Sequence, residues 1–428
     1  MRIIGRIFAI LACALLLNSC EGSIIRSAFK PTPTKAPAQN NQSKKAPVQN
    51  LPAQNISAQK SQIDPKVIRK KVKVAALLPL SGKSKELGTA MLNSIILSLF
   101  ENDKNNDVEL VVFDSSDIKK AVEEIAGQNI KTIIGPIFSS DIEAISSVAQ
   151  TNKISILSFS NNQDLAGKKG VFLMGFLPEQ QVERISSYAI SNGKDNFAII
   201  APNNQYGQKF STILKDMVKR KDGNFVSSEL YANSSKDLEK AVSKVLSSYI
   251  KSPNSKNKKN AKDGEKFYAN TIVIPESGAV LTKIVSLINK YNTSEREIQI
   301  IGSSNWDDIT TLNDPNLIGS WFVSANPDKY RDFEKRYYQL YNKFPPRISG
   351  IAYDATLAVA ETIRKSGKRE LSAEDFINYQ SAKNGFVGID GLFRFLPNGI
   401  VQRNFAMLEI KNGKFEMIDS PSSMFFKY

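Results

Sequence analysis

After Val72 the chain alternates short apolar runs with segments of helical period, and this alternation restricts the fold more than any other feature. Val72–Leu80 is a short apolar run ending in Pro79, Ser81 and Gly82, which predicts a strand buried on both faces. Glu86–Phe100 follows as a strongly apolar helix and Val108–Phe113 as the next strand. Asp117–Asn129 is helical, with Ile118, Val122 and Ile125 spaced by four and three. Thr132–Ile134 is a strand stopped by Gly135-Pro136. Ser140–Gln150 predicts a helix, with Ser139 or Ser140 as N-cap and Asp141 and Glu143 in its first turn. Ile154–Phe159 is a further strand. Short connections between such units argue a parallel, doubly wound sheet.

The alternation then repeats. Phe197–Ala201, Asn224–Tyr231, Thr271–Ile274 and Gln299–Ile301 read as strands, and Gln208–Arg220, Lys236–Tyr249 and Val280–Asn289 as helices. A lysine-rich polar stretch, Lys251–Asn270, interrupts them as a surface insertion. Tyr353–Arg364 is a further helix. Strand character from Gly388 to Met417 is broken by the hairpin signal Asn398-Gly399. The expectation is an α/β protein of two doubly wound parallel-sheet lobes joined by a hinge. Residues 72–176 with about 322–380 form the first lobe, and about 180–320 with 381–428 the second.

The first 65 residues have a different character. Arg2 and Arg6 precede an apolar stretch from Ile7 to Leu17, then Leu17-Asn18-Ser19-Cys20. A charged start, a short apolar run and small residues read as a secretory signal over residues 1–19. The run is too short to cross a bilayer, which takes roughly 20 residues. From Lys30 to about Asp64 the chain is mostly Pro, Gln, Asn, Ala, Ser and Lys, with KAPAQN at Lys35–Asn40 recurring as KAPVQN at Lys45–Asn50. Its apolar surface is too small to offset the entropy of ordering, so residues 20–65 read as a flexible stalk. A linker of about 35 residues has a root-mean-square span of roughly 30–35 Å and reaches ~100 Å when extended.

Cysteine and histidine usage excludes whole classes of chemistry. Cys13 lies in the predicted signal and Cys20 directly follows it, so a single cysteine is left and no disulfide framework remains. The chain has no histidine, which excludes Ser-His-Asp triads, Cys-His pairs and His-ligated zinc. No SxxK motif stands at a helix start with its companion motifs. The formal net charge is +15, of which +9 falls in the first 70 residues, and part of the rest in Lys251–Lys266. That basic character is consistent with a solvated linker or with attraction to anionic lipid or cell-wall polymer, and it does not call for nucleic acid.

Cys20 and its context resemble the lipobox of bacterial lipoproteins, which implies a diacylated Cys20 and anchoring to a membrane. From Val72 to Tyr428 the chain resembles the type-1 periplasmic binding proteins of the leucine-binding class. The matching pieces are Leu78-Pro79-Leu80-Ser81-Gly82, Ile134-Gly135-Pro136 with Ser139-Ser140, Tyr206-Gly207 and Ala352-Tyr353-Asp354-Ala355. Gly302–Asp307, Ala325-Asn326-Pro327, Phe333 to Tyr341, Pro345-Pro346 and Gly385-Phe386 with Gly388–Gly399 look like the lipoproteins called penicillin-binding-protein activators in alphaproteobacteria. The enterobacterial activator adds an N-terminal helical-repeat domain; here the stalk stands in that place.

In open α/β sheets ligands sit beyond the carboxyl ends of strands. Candidate binding residues at such ends are Ser81, Ser139, Ser140, Ser158, Asn161, Asn162, Tyr206 and Glu276. The family resemblance implies that Ser139 and Ser140 take a ligand carboxylate, that Tyr206 packs on the ligand, and that Glu276 pairs its ammonium group. The family's Ala-Thr pair falls at Asn161-Asn162, where an amide replaces a hydroxyl. The competing readings are helix caps for Ser139 and Ser140 and solvated loop positions for Tyr206 and Glu276. The aromatic residues Tyr330, Phe333, Tyr337, Tyr338 and Tyr341 have near-helical spacing and are expected to face a core. The resemblance implies no catalysis and no cofactor or metal. It offers two partners, a peptidoglycan synthase whose activity the protein regulates, or an ABC permease supplied with an amino acid or small peptide. Glu21 after Cys20 is compatible with sorting to the outer membrane.

Overall fold

A computed structural model describes residues 70–232, 234–251, 265–325, 327–379 and 385–425. Cys20, the predicted signal and stalk, and residues 252–264 of the lysine-rich insertion lie outside the described residues.

The first segment runs β1 (Val72–Leu78), α1 (Lys85–Asn102), β2 (Val108–Asp114), α2 (Ile118–Gly127), β3 (Thr132–Ile134), α3 (Ser139–Thr151), β4 (Ser155–Ser158) and β5 (Val171–Leu173). Its five strands form one parallel sheet in the order β2-β1-β3-β4-β5. The central strands are buried along their whole length, which is why they read as near-continuous apolar runs. Helices α2 and α3 cover one face.

The chain then crosses to a second lobe at Gly175 and Phe176. There follow α4 (Pro178–Ser191), β6 (Asn196–Pro202), α5 (Gln205–Arg220), β7 (Asn224–Tyr231), α6 (Ser235–Ser247), β8 (Tyr249–Ile250), β9 (Phe267–Tyr268), β10 (Thr271–Ile274), α7 (Gly278–Tyr291), β11 (Gln299–Gly302), α8 (Ile309–Leu312) and β12 (Trp321–Ser324). Strands β8 and β9 pair antiparallel at the two ends of the lysine-rich insertion. Helices α4 and α5 cover one face of this lobe's sheet and α6 and α7 the other. Local signals fix the helix starts. Asn204 accepts from the Gly207 amide at 2.9 Å, and Ser234 from the Asp237 amide at 3.1 Å.

A second crossing, after β12, returns the chain to the first lobe. Helices α9 (Pro327–Tyr341), α10 (Ser349–Ser366) and α11 (Ala373–Asn378) pack there with the hairpin strands β13 (Phe386–Gly388), β14 (Gly391–Phe395) and β15 (Val401–Arg403). A third crossing leads to β16 (Ala406–Lys411) and β17 (Lys414–Asp419), which complete the second sheet in the order β17-β16-β12-β11-β10-β6-β7. Helix α4 ties two crossings together. Gln180 donates to the Val401 carbonyl at 3.0 Å and accepts from the Arg403 amide at 2.8 Å, and Arg184 donates to the Phe405 carbonyl at 2.9 Å.

Two lobe boundaries differ from the sequence expectation. Phe322–Ser324 was expected in the first lobe, but β12 pairs with β11 and β16 of the second sheet. Residues 386–403 were expected in the second lobe, yet Phe386, Phe393 and Phe395 pack into the first lobe's core, against Phe172 and Phe376. Alternating strand residues state that one face is buried; they do not state against which core. Helix α10 is buried at 14 of its 18 positions, so it runs through the first lobe as an interior helix. The expected aromatic face of α9 is largely a core face: Tyr330, Phe333 and Tyr337 are buried, whereas Tyr338 stays outside, stacked on Phe344.

Candidate functional site

A cavity of about 320 Å³ lies between the two lobes, at the carboxyl ends of their strands. The first lobe contributes Ile137, Phe138, Ser139, Phe159, Ser160 and Asn161, and the second Gln181, Tyr206, Ser304 and Asn305. Gly175 and Phe176 of the first crossing form the back, together with Arg347, Ile348 and Ile351 at the start of α10. The volume is at the lower end for small-molecule sites, suited to a compact metabolite.

Ser139 is the first residue of α3, and its hydroxyl lies 2.9 Å from that of Ser160. The N-cap is Phe138, with no side-chain capping bond. The cap reading of Ser139 is thereby corrected: its hydroxyl joins Ser160 on the cleft wall. Ser140 does not line the cavity; it is exposed, and its hydroxyl is 3.5 Å from Asp141 Oδ1. Ser158 lies one layer behind, donating to the Pro136 carbonyl at 3.0 Å and accepting from the Ser160 amide at 3.1 Å. It shapes the loop that presents Ser160 and Asn161.

Tyr206 does line the cavity. Burial pushes its phenol up to about 12 against the opposing effect of the neighbouring Ser303 hydroxyl, so it is a neutral donor at physiological pH. It stands where it does because α5 starts in close contact with the end of β6. A Cβ on Gly207 would fall 2.0 Å from the Pro202 carbonyl oxygen. Gly175 serves the other side in the same way, with a Cβ position 2.5 Å from the Ser160 carbonyl oxygen.

Three expected residues serve elsewhere. Ser81 is exposed and belongs to the Asp114 turn. There burial raises the Asp114 carboxyl, but hydrogen bonds from Ser81 and from the Ser116 and Leu80 amides outweigh it and hold the group below its ordinary value. Asn162 accepts from the Asp164 amide at 3.2 Å and from Lys209 Nζ at 3.1 Å, bridging the lobes beside the cavity. Glu276 accepts from the Tyr231 hydroxyl and from the Ser277 amide, the latter at 3.0 Å, and its carbonyl holds the Trp306 indole at 2.8 Å. Glu276 is not among the residues that line the cavity, although its charge reaches the Tyr206 phenol there.

Sequence reasoning missed the charged floor. Arg347 is largely enclosed, 2.8 Å from Asp307 Oδ2 and 2.7 Å from Asp390 Oδ1, and its guanidinium lies 3.9 Å from the Tyr330 ring centre. Burial alone would lower its pKa, but Asp390 and Asp307 outweigh it, and the group is held fully charged. Its Nη2 is enclosed without a hydrogen-bond partner in the protein. Asp307, of the second lobe, also takes Arg331 of α9 and the Ser324 hydroxyl, the latter at 2.7 Å. One buried carboxylate of the second lobe thus holds two arginines of the first. Nearby, Asp354 pairs with Arg403 at 2.8 Å, both fully enclosed. Asp307, Arg347 and Asp390 fall inside or beside Gly302–Asp307, Pro345-Pro346 and Gly388–Gly399, the segments that resemble the activators, and Asp354 falls in Ala352-Tyr353-Asp354-Ala355.

Among the described residues no group of three or more Cys, Asp or Glu is placed to hold a metal ion. No helix among them is long and apolar enough to cross a membrane.

Comparison with known proteins agrees with this architecture. A family model described as periplasmic binding protein matches residues 71–414. An uncharacterised protein of Rickettsia prowazekii is 26% identical over 355 residues, covering 81% of this chain and 88% of that one. A penicillin-binding protein activator, LpoA, of Haemophilus ducreyi is 30% identical over 139 residues, 32% of this chain and 23% of the activator. This chain therefore spans about a quarter of the activator's length in the match. Among solved structures, a leucine-binding protein of Thermotoga maritima superposes with a TM-score of 0.58 at 19% identity, covering 81% of this chain and 97% of that one. A branched-chain amino acid ABC transporter protein of Rhodospirillum rubrum superposes with a TM-score of 0.66 at 16% identity, covering 81% and 100%.

Proposed function

The chain belongs to the periplasmic binding protein family, and from that premise we propose that it is a non-catalytic regulator of a peptidoglycan synthase, anchored to the outer membrane through a lipid on Cys20. The observation that carries this reading is the Asp307 clasp. A transport protein opens and closes around its cargo. Here a carboxylate of the second lobe with no side-chain exposure is bound by Arg331 and Arg347 of the first. Opening the lobes would break both ion pairs at once. Lobes joined in this way serve better as a stable surface than as a jaw. The diversion of Glu276 supports the same reading, since an amino-acid carrier needs a partner for the ammonium group. So do the resemblance to the activators and the predicted stalk, whose reach suits a target across the periplasm.

The test uses the full chain in detergent with a bifunctional synthase from the same cell. Direct binding and a several-fold rise in glycan polymerisation or cross-linking are expected. Neither binding nor stimulation would retire the proposal.

A second reading, a solute-binding component of an ABC transporter, is favoured by the interlobe cavity with polar groups from both lobes. It predicts measurable closure of the lobes on a ligand by small-angle scattering, which the regulatory reading does not require.

A further inference from the structure

We propose that the protein forms a two-fold symmetric dimer through the outer edge of the first lobe's sheet, where β2 pairs antiparallel with the β2 of a second copy and α1 packs beside its counterpart. The dimer is independent of the regulatory role proposed above and of any ligand in the cleft.

Strand β2 ends the five-stranded sheet, and among the described residues no strand pairs with its outer edge. Such an edge presents a row of free N–H and C=O groups, which proteins blunt with lysine, proline, a bulge or a cover. The other three edges of the two lobe sheets are blunted. β5 is met by Ile400, which bridges Leu173. β7 carries an extra residue, Val226, against β6, and β17 an extra residue, Ile418, against β16. By contrast β2, Val108–Asp114, has neither lysine nor proline, and its register with β1 is unbroken over all seven residues. A strand related to its own copy by a two-fold axis runs antiparallel to it, so its outward donors and acceptors find complements without a second sequence.

Helix α1 supplies the flank of this edge. It meets α9 through Asn93 and Glu101 and α10 through Ser98, and α10 lies over β3, so the remaining side of α1 is turned to the outer edge of β2. Lys85 and Asp103 stand about five helical turns apart and therefore on one line, with Leu92, Ile96 and Leu99 close to it. Ile96 is 46% exposed, Phe100 86%, and Val112, which shares its face of β2 with Val108 and Leu110 of the α1-side core, 43%. Single exposed apolar residues are ordinary, but three gathered along an unpaired edge mark a contact surface. In the two-fold dimer the α1 helices run antiparallel, which sets the exposed Lys85 of each copy opposite Asp103 of the other. Asp103 is held in place by accepting from the Asp107 and Val108 amides at 3.0 and 2.9 Å. A strand of this length spans ~23 Å, and with the helix layers on either face the edge offers on the order of 600 Å² per copy. The total of about 1,200 Å² is the lower bound for a specific interface and corresponds to a weak dimer.

Detergent-corrected sedimentation equilibrium of the full chain measures the association. A monomer–dimer equilibrium with a micromolar dissociation constant is expected. Val112→Lys places a charge on the edge and should weaken the dimer at least tenfold, and Phe100→Ser should weaken it separately. Both side chains are exposed, so the two variants should fold and melt as the parent monomer does. Lys85→Glu should weaken the dimer severalfold at low salt, and the difference should vanish at high salt. Hydrogen exchange reads the same surface: the outer amides of β2 should slow as protein concentration rises through the dissociation constant. A chain that stays monomeric at about 100 µM would overturn the inference. So would a dimer that Val112→Lys leaves unchanged, since its contact would lie elsewhere. Protection of the outer β2 amides in the monomer would overturn it too, by showing that residues ahead of Lys70 already cover the edge.

Discussion

At the scale of single residues, Asp354 is the titrating group to watch. Burial raises its carboxyl, Arg403 opposes that and Asp390 reinforces it, and the result lies at about 7. An unfolded aspartate titrates near 3.9, so between about pH 4 and 7 the folded chain holds the extra proton. Stability from this group is therefore complete below about pH 4 and lost as pH rises through 7. With no histidine in the chain, no imidazole masks that window. The melting temperature should fall by several degrees between pH 5 and pH 8, and Asp354→Asn should flatten the slope while lowering stability overall, because Arg403 loses its partner. A rising or flat profile in the parent protein would contradict this. Asp114, Asp314 and Asp375 act in the opposite sense and in another window. Their carboxyls are held below the ordinary value, so their contribution is lost only as pH falls below about 4. The site residues show how far sequence carries at this scale. Ser139, Asn161 and Tyr206 were legible because strand ends in an alternating α/β chain must converge. Arg347 was not, since its partners lie 40 and more residues away and no local pattern announces a meeting of that kind.

At the scale of elements, the two lobes repeat one device, a glycine early in a helix pressed on the carbonyl of a strand-end proline. Gly88 meets Pro79 and Gly207 meets Pro202, each with a Cβ position 2.0 Å from the oxygen. Gly207→Ala should therefore destabilise by about 1–3 kcal/mol through overpacking, despite a gain of up to about 1 kcal/mol in helix propensity. Gly127, at the last turn of α2 with open space around it, is the control: Gly127→Ala should stabilise by about 0.5–1 kcal/mol. Denaturant unfolding of both variants checks the pair, and a stabilised Gly207→Ala would show that α5 can shift without cost. Element identity was well marked in the sequence. β3, β7 and β10 have the boundaries their apolar runs predict. The hairpin at Asn398-Gly399 forms as its turn signal requires, between β14 and β15. Its attachment to the first lobe was not marked, because the aromatic faces of β13 and β14 would suit either core.

At the scale of the whole molecule, the proposed role depends on reach as much as on fold. Deleting Pro31–Asn55 should leave the folded body and the anchor intact while abolishing function in cells. Fractionation, thermal unfolding and a cell-wall phenotype measure the three separately; normal function after the deletion would remove the reason for a stalk. Periodicity, turn chemistry and composition determined the α/β class, the repeat of two lobes, the exclusion of histidine-dependent chemistry and the strand ends where a cleft must lie. These are properties of local segments, each readable within a dozen residues. The tertiary structure decided which lobe owns β12 and the β13–β15 hairpin, which of eight candidate side chains face the cleft, and that Asp307 clasps Arg331 and Arg347 across it. Those outcomes depend on three chain crossings that bring distant segments together, and a side chain's partners are fixed only when the crossings are made.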